Sequence, residues 1–285
     1  MKAAKIRNFL LELFAIFLFL LFMAPFFIVI TNSAKTSTDI IRNPIGLPDN
    51  WGLLLTNIQS VIQSSNMNYS KSFFSSSVIT IVSLITIVLF SSMAAWILVR
   101  NKKKWATFIF MTFVAAMVIP FQVVMLPLLS WYRKVSDFIG IPLLSSYTGI
   151  VFAYIGFGVS MTIFILHGFI KNIPYELEEA ALIDGCSEES VFFRIVFPLL
   201  KPIQMTVLIL NGIWIWNDFL LPSLMLGLNG KIKTLPLAVT SFIGSYVKQW
   251  DLILTSTLLA MLPVIVLFIL AQKYIIKGMV EGAIK

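Results

Sequence analysis

Cysteine and histidine are almost absent, since the 285 residues include one of each, Cys186 and His167. A single cysteine excludes an intramolecular disulfide framework and a cysteine-ligated metal site. One histidine leaves little material for a zinc site or for histidine-based catalysis. We therefore predict no metal site and no catalytic site in this chain. We expect His167, which lies among apolar residues near the end of a hydrophobic segment, to be structural.

Charged residues are scarce as well, at 12% of the chain against 59% hydrophobic residues. This is too little polar surface to cover a soluble protein of this length. Several apolar runs reach the roughly 20 residues that a helix needs to cross a bilayer, and such runs are helical because lipid cannot pair with backbone polar groups. The sequence thus predicts an all-α integral membrane protein with six transmembrane helices. They lie at about Phe9–Ile30, Phe73–Leu98, Trp105–Leu129, Tyr147–Phe169, Ile203–Leu226 and Leu252–Ile276.

The net charge of +8 does not indicate a nucleic-acid partner, because the basic residues cluster beside the apolar runs and form no single stripe. In the predicted arrangement, thirteen of the 21 lysines and arginines fall on the side that holds both termini. Cytoplasmic loops carry an excess of Lys and Arg, and the hairpin from Arg100 to Lys104 is the strongest single indication. We predict that both termini and residues 173–202 are cytoplasmic.

A long loop after the first apolar run suggests how the chain is divided. Residues 1–70 contain the first helix and this outer loop. Within the loop we predict a short surface helix from Trp51 to Ile62. Residues 71–276 form a core of five helices, and residues 277–285 form a cytoplasmic tail. A long ordered loop often carries function, although capping of the helix bundle is an alternative here.

The acidic stretch after the fourth apolar run has the signals of two short helices. Pro174 opens the first, because its missing N–H falls where a helix has no partner for one. Glu179 lies among acidic residues that complement the helix dipole, and Gly185 follows as a left-handed terminator. Ser187 caps a second helix, which we expect to end at Pro198. The prediction is a helix–turn–helix at the membrane surface.

Small residues in this stretch favour contact with another protein. Ala180, Ala181 and Gly185 leave part of the first helix without bulky side chains, so that a partner's backbone can approach closely. An interfacial helix without a partner is the alternative. We favour docking, because an anionic membrane repels an acidic helix.

A family resemblance rests on two parts of this stretch, Glu176–Gly185 and Arg194–Pro202. Residues 173–202, the EAA segment below, strongly resemble the EAA loop of bacterial ABC importer permeases. The resemblance is to the second permease subunit of carbohydrate importers of the maltose and glycerol-phosphate type. It extends over nearly the whole chain, to Ala94–Trp96 before Arg100, Ile119–Gln122, Pro127, Trp216–Pro222 and the tail Gly278–Lys285.

This resemblance implies a type I ABC importer permease fold in a bacterial inner membrane, with a coupling helix seated in a cleft of a separate ATPase. The implied partners are a second permease subunit, two ATPase subunits, an extracellular solute-binding protein and a sugar substrate. The chain has no phosphate loop, so ATP and Mg are expected on the ATPase and no cofactor on this chain. An importer of the same architecture for a polyamine or peptide is the alternative. The residues expected to couple to the ATPase are Glu178, Glu179, Ala180, Ala181, Asp184, Gly185, Ile195 and Pro198.

Polar residues in the fifth apolar run suggest a path for the solute. Gln204, Asn211 and Asp218 recur every seven residues and form a nearly straight stripe on a helix, with Trp214 one turn from Asn211. A sugar path needs hydrogen-bonding groups for hydroxyls and an aromatic plane for the apolar ring face. We predict that Asn211, Trp214 and Asp218 line the path. Helix–helix packing or a place at the membrane interface are the alternatives.

Gln122 is a second candidate for the solute path. It lies between Pro120 and Pro127 in the third apolar run. Prolines there break the helix and free carbonyls that need other partners or water. Packing is an equal alternative for Gln122.

Overall fold

The computed structural model describes residues 2–244 and 248–283, with their side chains except at residues 2–4, 271 and 273–283. Within these ranges every regular element is helical, and Ile243 and Lys248 form one isolated β-bridge. The all-α prediction is confirmed. The α-helices are α1 (Lys2–Asn32), α2 (Ser37–Arg42), α3 (Gly52–Gln63), α4 (Tyr69–Arg100), α5 (Lys104–Ala116), α6 (Phe121–Ile139), α7 (Tyr147–Ile170), α8 (Glu176–Ile183), α9 (Glu188–Val191), α10 (Phe197–Leu199), α11 (Lys201–Asn217), α12 (Leu220–Met225), α13 (Leu235–Val239) and α14 (Trp250–Ala283).

Four single helices are long and apolar enough to cross a membrane, namely α1, α4, α7 and the first part of α14. They coincide with four of the predicted spans. Two further candidates are bent pairs: α5 with α6, at 106°, and residues 188–199 with α11, at 72°. The predicted number of six spans is reached when each bent pair is counted as one span.

The predicted span Trp105–Leu129 is broken between α5 and α6, so the break expected from the prolines of this run is present at Pro120. Pro120 precedes α6 with extended backbone. Its ring removes an N–H from the ladder and disfavours helical backbone at Ile119. Pro127, in contrast, lies inside α6 without ending it.

The predicted helix Ile203–Leu226 is also two helices. Asp218, between α11 and α12, has extended backbone (φ −70°, ψ 129°). Its Oδ1 accepts a hydrogen bond from the N–H of Leu220 at 2.9 Å. This bond satisfies one of the free donors at the start of α12, as short polar side chains do at helix N-termini.

Residues 1–70 and 238–263 form one compact unit. The Ser37 hydroxyl donates to Asp251 Oδ1 at 2.6 Å, and the Thr255 hydroxyl donates to the Ser33 carbonyl at 3.3 Å. These bonds group the start of α14 with the N-terminal segment, whereas the sequence division placed it in the core of residues 71–276. The short surface helix predicted at Trp51 to Ile62 is present as α3.

Residues 71–237 and 264–285 form the second unit. In it α7 packs against α5, α11 and α12. His167 on α7 is buried and stacks on Phe110 with ring centroids 3.7 Å apart, in agreement with the structural role expected for it. One apolar cluster of this unit contains Ile79, Ile87, Ile150, Tyr154 and Ile215, and a second contains Ala95, Leu98, Leu166, Ala181, Phe192 and Leu200.

The predicted tail of residues 277–285 falls at the limit of the description. The α14 backbone is helical to Ala283, and residues 284 and 285 lie outside the described residues. The division of the chain at this tail stays a prediction.

Candidate functional site

The first helix of the EAA segment is α8, which begins two residues after Pro174. Its first turn carries Glu176, Glu178 and Glu179, where negative charge complements the helix dipole. The backbone reverses at Gly185, whose φ is +84°. Because residues with a Cβ rarely adopt this left-handed conformation, the predicted role of Gly185 as terminator is confirmed.

The second helical stretch begins as predicted and ends differently. The Ser187 hydroxyl accepts a hydrogen bond from the N–H of Ser190 at 3.3 Å, so Ser187 is the N-cap of α9. The chain then forms a π-helical turn, Phe192–Val196, in which the N–H of Phe197 donates to the carbonyl of Phe192.

The prediction that Pro198 ends this helix is wrong, because Pro198 lies near the start of α10, where helical backbone continues to Leu199. A missing N–H is tolerated at this position of a helix. The helical direction changes two residues later, at the 72° bend before α11.

Most of the residues expected to meet the ATPase lie on the surface of this segment. Glu179, Ala180, Asp184, Gly185 and Pro198 are exposed, and Ile195 is half-buried. Beside them Ile183, which the sequence did not single out, exposes 86% of its surface. A surface of small residues with exposed aliphatic side chains, of which Ile183 is the most exposed on α8, is suited to receive the surface of another protein.

Two of the expected coupling residues face inward instead. Ala181 is buried in the second apolar cluster, together with Val191 and Phe192. Glu178 is 2% exposed, so its carboxylate is not part of the exposed surface. Through these two residues, α8 is attached to the other helices of the second unit.

The carboxylate of Glu178 is held by two residues at the end of α4. Its Oε1 accepts hydrogen bonds from Arg100 Nε at 2.9 Å and Nη2 at 2.7 Å, and its Oε2 accepts one from Trp96 Nε1 at 2.9 Å. Arg100 Nη2 also donates to the carbonyl of Ile173 at 3.0 Å. This group of Glu178, Arg100 and Trp96, the Glu178 tether below, borders a cavity of about 250 Å³ that Tyr175 and Glu188 also line.

Sequence reasoning missed Arg100 and Trp96 as parts of the site. The available signal was their place in the stretch Ala94–Trp96 and Arg100, which carried part of the family resemblance. Their contact with Glu178, 78 and 82 residues away, is a tertiary fact that local patterns do not contain.

The polar stripe on α11 contacts α7 at Asn211 and α4 at Gln204. Asn211 is 1% exposed, and its Nδ2 donates to Thr162 Oγ1 at 3.1 Å and to the Val207 carbonyl at 2.9 Å. Gln204 is buried and lies 3.4 Å from Ser92 Oγ. In this conformation Asn211 therefore lies at a helix–helix contact, which is the packing alternative for this residue.

Trp214 and Asp218 lie closer to the surface and share a neighbour on α7. The Tyr154 hydroxyl donates to Asp218 Oδ2 at 3.1 Å, and the Tyr154 and Trp214 rings meet edge to face at 5.5 Å. Trp214 is 41% exposed. These three side chains form a polar and aromatic group at the α11–α12 break.

Gln122 is exposed in the first turn of α6. Next to it the break after α5 borders a cleft of about 300 Å³, lined by Met117, Ile119, Phe121, Phe157 and Ser160 among others. Over the described part of the chain, no backbone N–H donates to the carbonyls of Met117 or Ile119. The freed carbonyls predicted from Pro120 are thus present.

No group of three or more His, Cys, Asp or Glu side chains is placed to bind a metal ion within residues 2–244 and 248–283, as far as their side chains are described. The candidate site consists of an exposed surface on the EAA segment and a polar helix face on α11.

The sequence pattern of one protein family matches residues 87–281, most of the chain and all of the EAA segment. That family is described as the binding-protein-dependent transport system inner membrane component. The chain belongs to this family. The permease is therefore a non-catalytic, multi-pass inner-membrane component of a transport system that works with a binding protein.

Similar proteins include three with informative descriptions. The permease is 39% identical over 285 residues, all of both chains, to the probable starch degradation products transport system permease protein AmyC of Thermoanaerobacterium thermosulfurigenes. It is 33% identical over 287 residues, again all of both chains, to the melibiose/raffinose/stachyose import permease protein MelC of Bacillus subtilis (strain 168). A crystal structure of a bacterial ABC transporter involved in the import of the acidic polysaccharide alginate contains a chain with a TM-score of 0.80 and 17% identity, covering 96% of the permease and 98% of that chain. This last likeness shows the fold, that of an ABC importer permease.

Proposed function

We propose that the permease is a membrane subunit of an ATP-driven importer for a sugar or oligosaccharide. The descriptions of relatives that match over their full length name starch degradation products and melibiose, raffinose and stachyose. These are all carbohydrates. A sugar therefore has more support as the solute than a polyamine or a peptide.

The observation that carries the ATP-driven mechanism is the exposed surface of α8. The exposed residues are Glu179, Ala180 and Ile183 on α8 and Gly185 just after it. Glu178 and Ala181 are buried and attach the helix to the residues on which it packs. An exposed contact surface on a firmly attached helix transmits force from a second protein. We propose that a separate ATPase docks here, binds ATP and Mg itself, and drives alternating access.

The proposed assembly contains this permease, a second permease subunit, two ATPase subunits and an extracellular solute-binding protein. The EAA segment and both termini are then cytoplasmic, in agreement with the excess of Lys and Arg on that side. The membrane is a bacterial inner membrane.

The proposed solute path includes Asn211, Trp214, Asp218 and Gln122. Trp214 and Asp218 combine an exposed ring with a carboxylate that is half-buried, the pairing that a sugar ring requires. Gln122 lies at the helix break whose carbonyls lack backbone partners. Asn211 is closed off between α11 and α7, and reaches solute only in another conformation of the helices.

Substitution of Gly185 by tryptophan tests the docking surface. An added Cβ at Gly185 meets no atom within 4 Å, so the bulky side chain points into open space and blocks close approach of a partner. We expect Gly185→Trp to abolish co-purification of the ATPase and ATP-dependent uptake. Glu179→Lys, which inverts an exposed charge, is expected to do the same.

Gly140→Trp is the matched control. Gly140 also has a positive φ, +71°, and open space around its Cβ position, but it lies after α6, outside the EAA segment. The control strains the backbone to the same degree and should retain the ATPase. Recovery of the ATPase at wild-type yield with Gly185→Trp and with Glu179→Lys would overturn the proposed docking surface.

A further inference from the structure

The Glu178 tether contains an ion pair, between Arg100 Nη2 and Glu178 Oε1 at 2.7 Å. Glu178 is buried, and the Arg100 side chain is 18% exposed. Both carboxylate oxygens accept hydrogen bonds, from Arg100 and from Trp96. The two charge-assisted bonds from Arg100 both reach Oε1, and together with the Trp96 bond to Oε2 they hold the carboxylate at both of its oxygens.

The tether joins the end of α4 to the EAA segment, which also meet through apolar packing and through the Arg100 guanidinium over the Tyr175 ring. The EAA segment continues directly into α7 at one end and into α11 at the other. It has no such connection to α4, whose last residue is Arg100. Motion of α8 therefore reaches α7 and α11 through the backbone, but reaches α4 only through side-chain contacts.

Apolar contacts alone do not fix this connection. Trp96 packs on Phe192 with ring centroids 5.3 Å apart, and Ala95 and Leu98 join the same cluster. Hydrophobic contact is non-directional, so such surfaces can slide. The three hydrogen bonds to Glu178 and the bond from Arg100 to the Ile173 carbonyl have fixed directions.

We infer that Arg100 and Trp96 are positioning residues that fix the end of α4 to the EAA segment, so that displacement of α8 moves α4 as well as α7 and α11. The inference rests on the proposed function, because it assigns a path to the force that the ATPase applies. According to this inference, α4 is a third helix, beside α7 and α11, that moves when the ATPase displaces α8.

The test uses the complete importer, with its partner permease, ATPases and binding protein, in proteoliposomes. The quantity measured is the amount of solute taken up per ATP hydrolysed. We expect Arg100→Gln to lower this ratio by roughly fivefold or more, the range of typical coupling between sites. Trp96→Phe, which keeps the ring contact and removes the N–H, should lower it less.

Two controls separate positioning from folding. Lys104→Gln removes an exposed positive charge near Arg100 and should leave the ratio at the wild-type value. If Arg100 only stabilises the fold, Arg100→Gln lowers uptake and ATP hydrolysis together through loss of complex, and their ratio stays constant. A constant ratio overturns the inference.

Spin labels give a second measurement that does not depend on uptake. Labels at Lys102 and Glu189, both exposed, report the distance between the end of α4 and the EAA segment in a Cys186→Ser background. We expect the same distance without nucleotide and with trapped ATP in the parent, and a nucleotide-dependent change after Arg100→Gln. Unchanged distances in both proteins overturn the inference.

Failure of the inference can be distinguished from failure of the proposed function. If the parent complex takes up solute without ATP, the proposed function is wrong. If uptake requires ATP but Arg100→Gln keeps the wild-type ratio, only the role of Arg100 is wrong. A double-mutant cycle of Arg100→Gln and Glu178→Gln provides a further check. If the two residues act as one unit, their effects on the ratio of solute to ATP are non-additive.

Discussion

Replacement of Asn211 by leucine would show whether a polar residue buried between α11 and α7 serves stability or transport. The Nδ2 group has partners in Thr162 and Val207, whereas Oδ1 has none. Leucine branches at Cγ as asparagine does and is somewhat larger. The substitution therefore removes polarity without creating a large cavity.

The expected change in stability is small and can be worked out from these contacts. Loss of an interhelical hydrogen bond in a membrane protein costs about 0.6 kcal/mol on average. Removal of a buried, unpaired oxygen gains about 1–3 kcal/mol. The Thr162 hydroxyl remains paired, because it donates to the Gly158 carbonyl at 2.8 Å. The balance predicts stability that is higher by about 0.4–2.4 kcal/mol, with a rise in Tm of about 2–4 °C for each kcal/mol.

Transport is expected to respond in the opposite direction. If Asn211 binds solute in an open conformation, loss of one hydrogen bond of about 1.4 kcal/mol slows uptake about tenfold. The assays are thermal unfolding of the purified complex and ATP-dependent uptake normalised to complex. Asn217→Leu is the matched control, since Asn217 is exposed on the same helix and bonds only to the Ile213 carbonyl, at 2.8 Å.

Two results would refute this reasoning in different ways. Wild-type uptake by Asn211→Leu removes Asn211 from the solute path. A Tm decrease of several degrees shows that the interhelical bond is worth more than the balance allows, and that Asn211 is a packing residue.

Two further substitutions test the packing and the caps. A Cβ at Gly158 would lie 2.5 Å from Ile87 Cδ1, so Gly158→Ala should lower the free energy of unfolding by about 1–3 kcal/mol through overpacking. Gly156→Ala is the control, because a Cβ at Gly156 meets no atom within 4 Å. Ile87→Val should restore the stability lost in Gly158→Ala. Equal Tm values for the two alanine variants would contradict the prediction. Ser187→Ala removes the α9 cap and should cost about 1 kcal/mol, seen as faster hydrogen exchange at residues 188–191. Ser187→Asp should restore slow exchange, and unchanged exchange in Ser187→Ala would show that the cap does not stabilise α9.

Local structure in the EAA segment could be predicted because a few adjacent residues determine it. Gly185 supplies a left-handed turn and Ser187 an N-cap, and both act on neighbours within a few positions in the chain. The short helix α3, predicted at Trp51 to Ile62, was predictable for the same reason. Such signals depend little on the rest of the fold.

The exact position of the break between α5 and α6 was harder to predict, because hydropathy does not change across it. Residues 117–119 are as apolar as the helices on either side. Proline alone does not decide the matter either, since Pro25, Pro127 and Pro263 all lie inside continuous helices. Only the surrounding tertiary structure determines which proline ends a helix.

The burial of Glu178 could not be predicted from its neighbours. It is one of three acidic residues in the first turn of α8, and in sequence all three have the same character. Which carboxylate turns inward depends on the position of Arg100, 78 residues earlier. The residues that line the proposed solute path also depend on tertiary structure, because they are set by how the helices are arranged in each conformation of the permease.

The π-helical turn at Phe192–Val196 has a consequence for the orientation of everything before it. Such a turn holds one residue more than regular helix, and each residue of an α-helix corresponds to about 100° of rotation. Because the π turn takes its extra residue within one full rotation, deleting one amino acid there would restore ordinary winding and leave the preceding surface facing nearly the same way relative to α11. The same deletion in a regular turn would rotate that surface by about 100°.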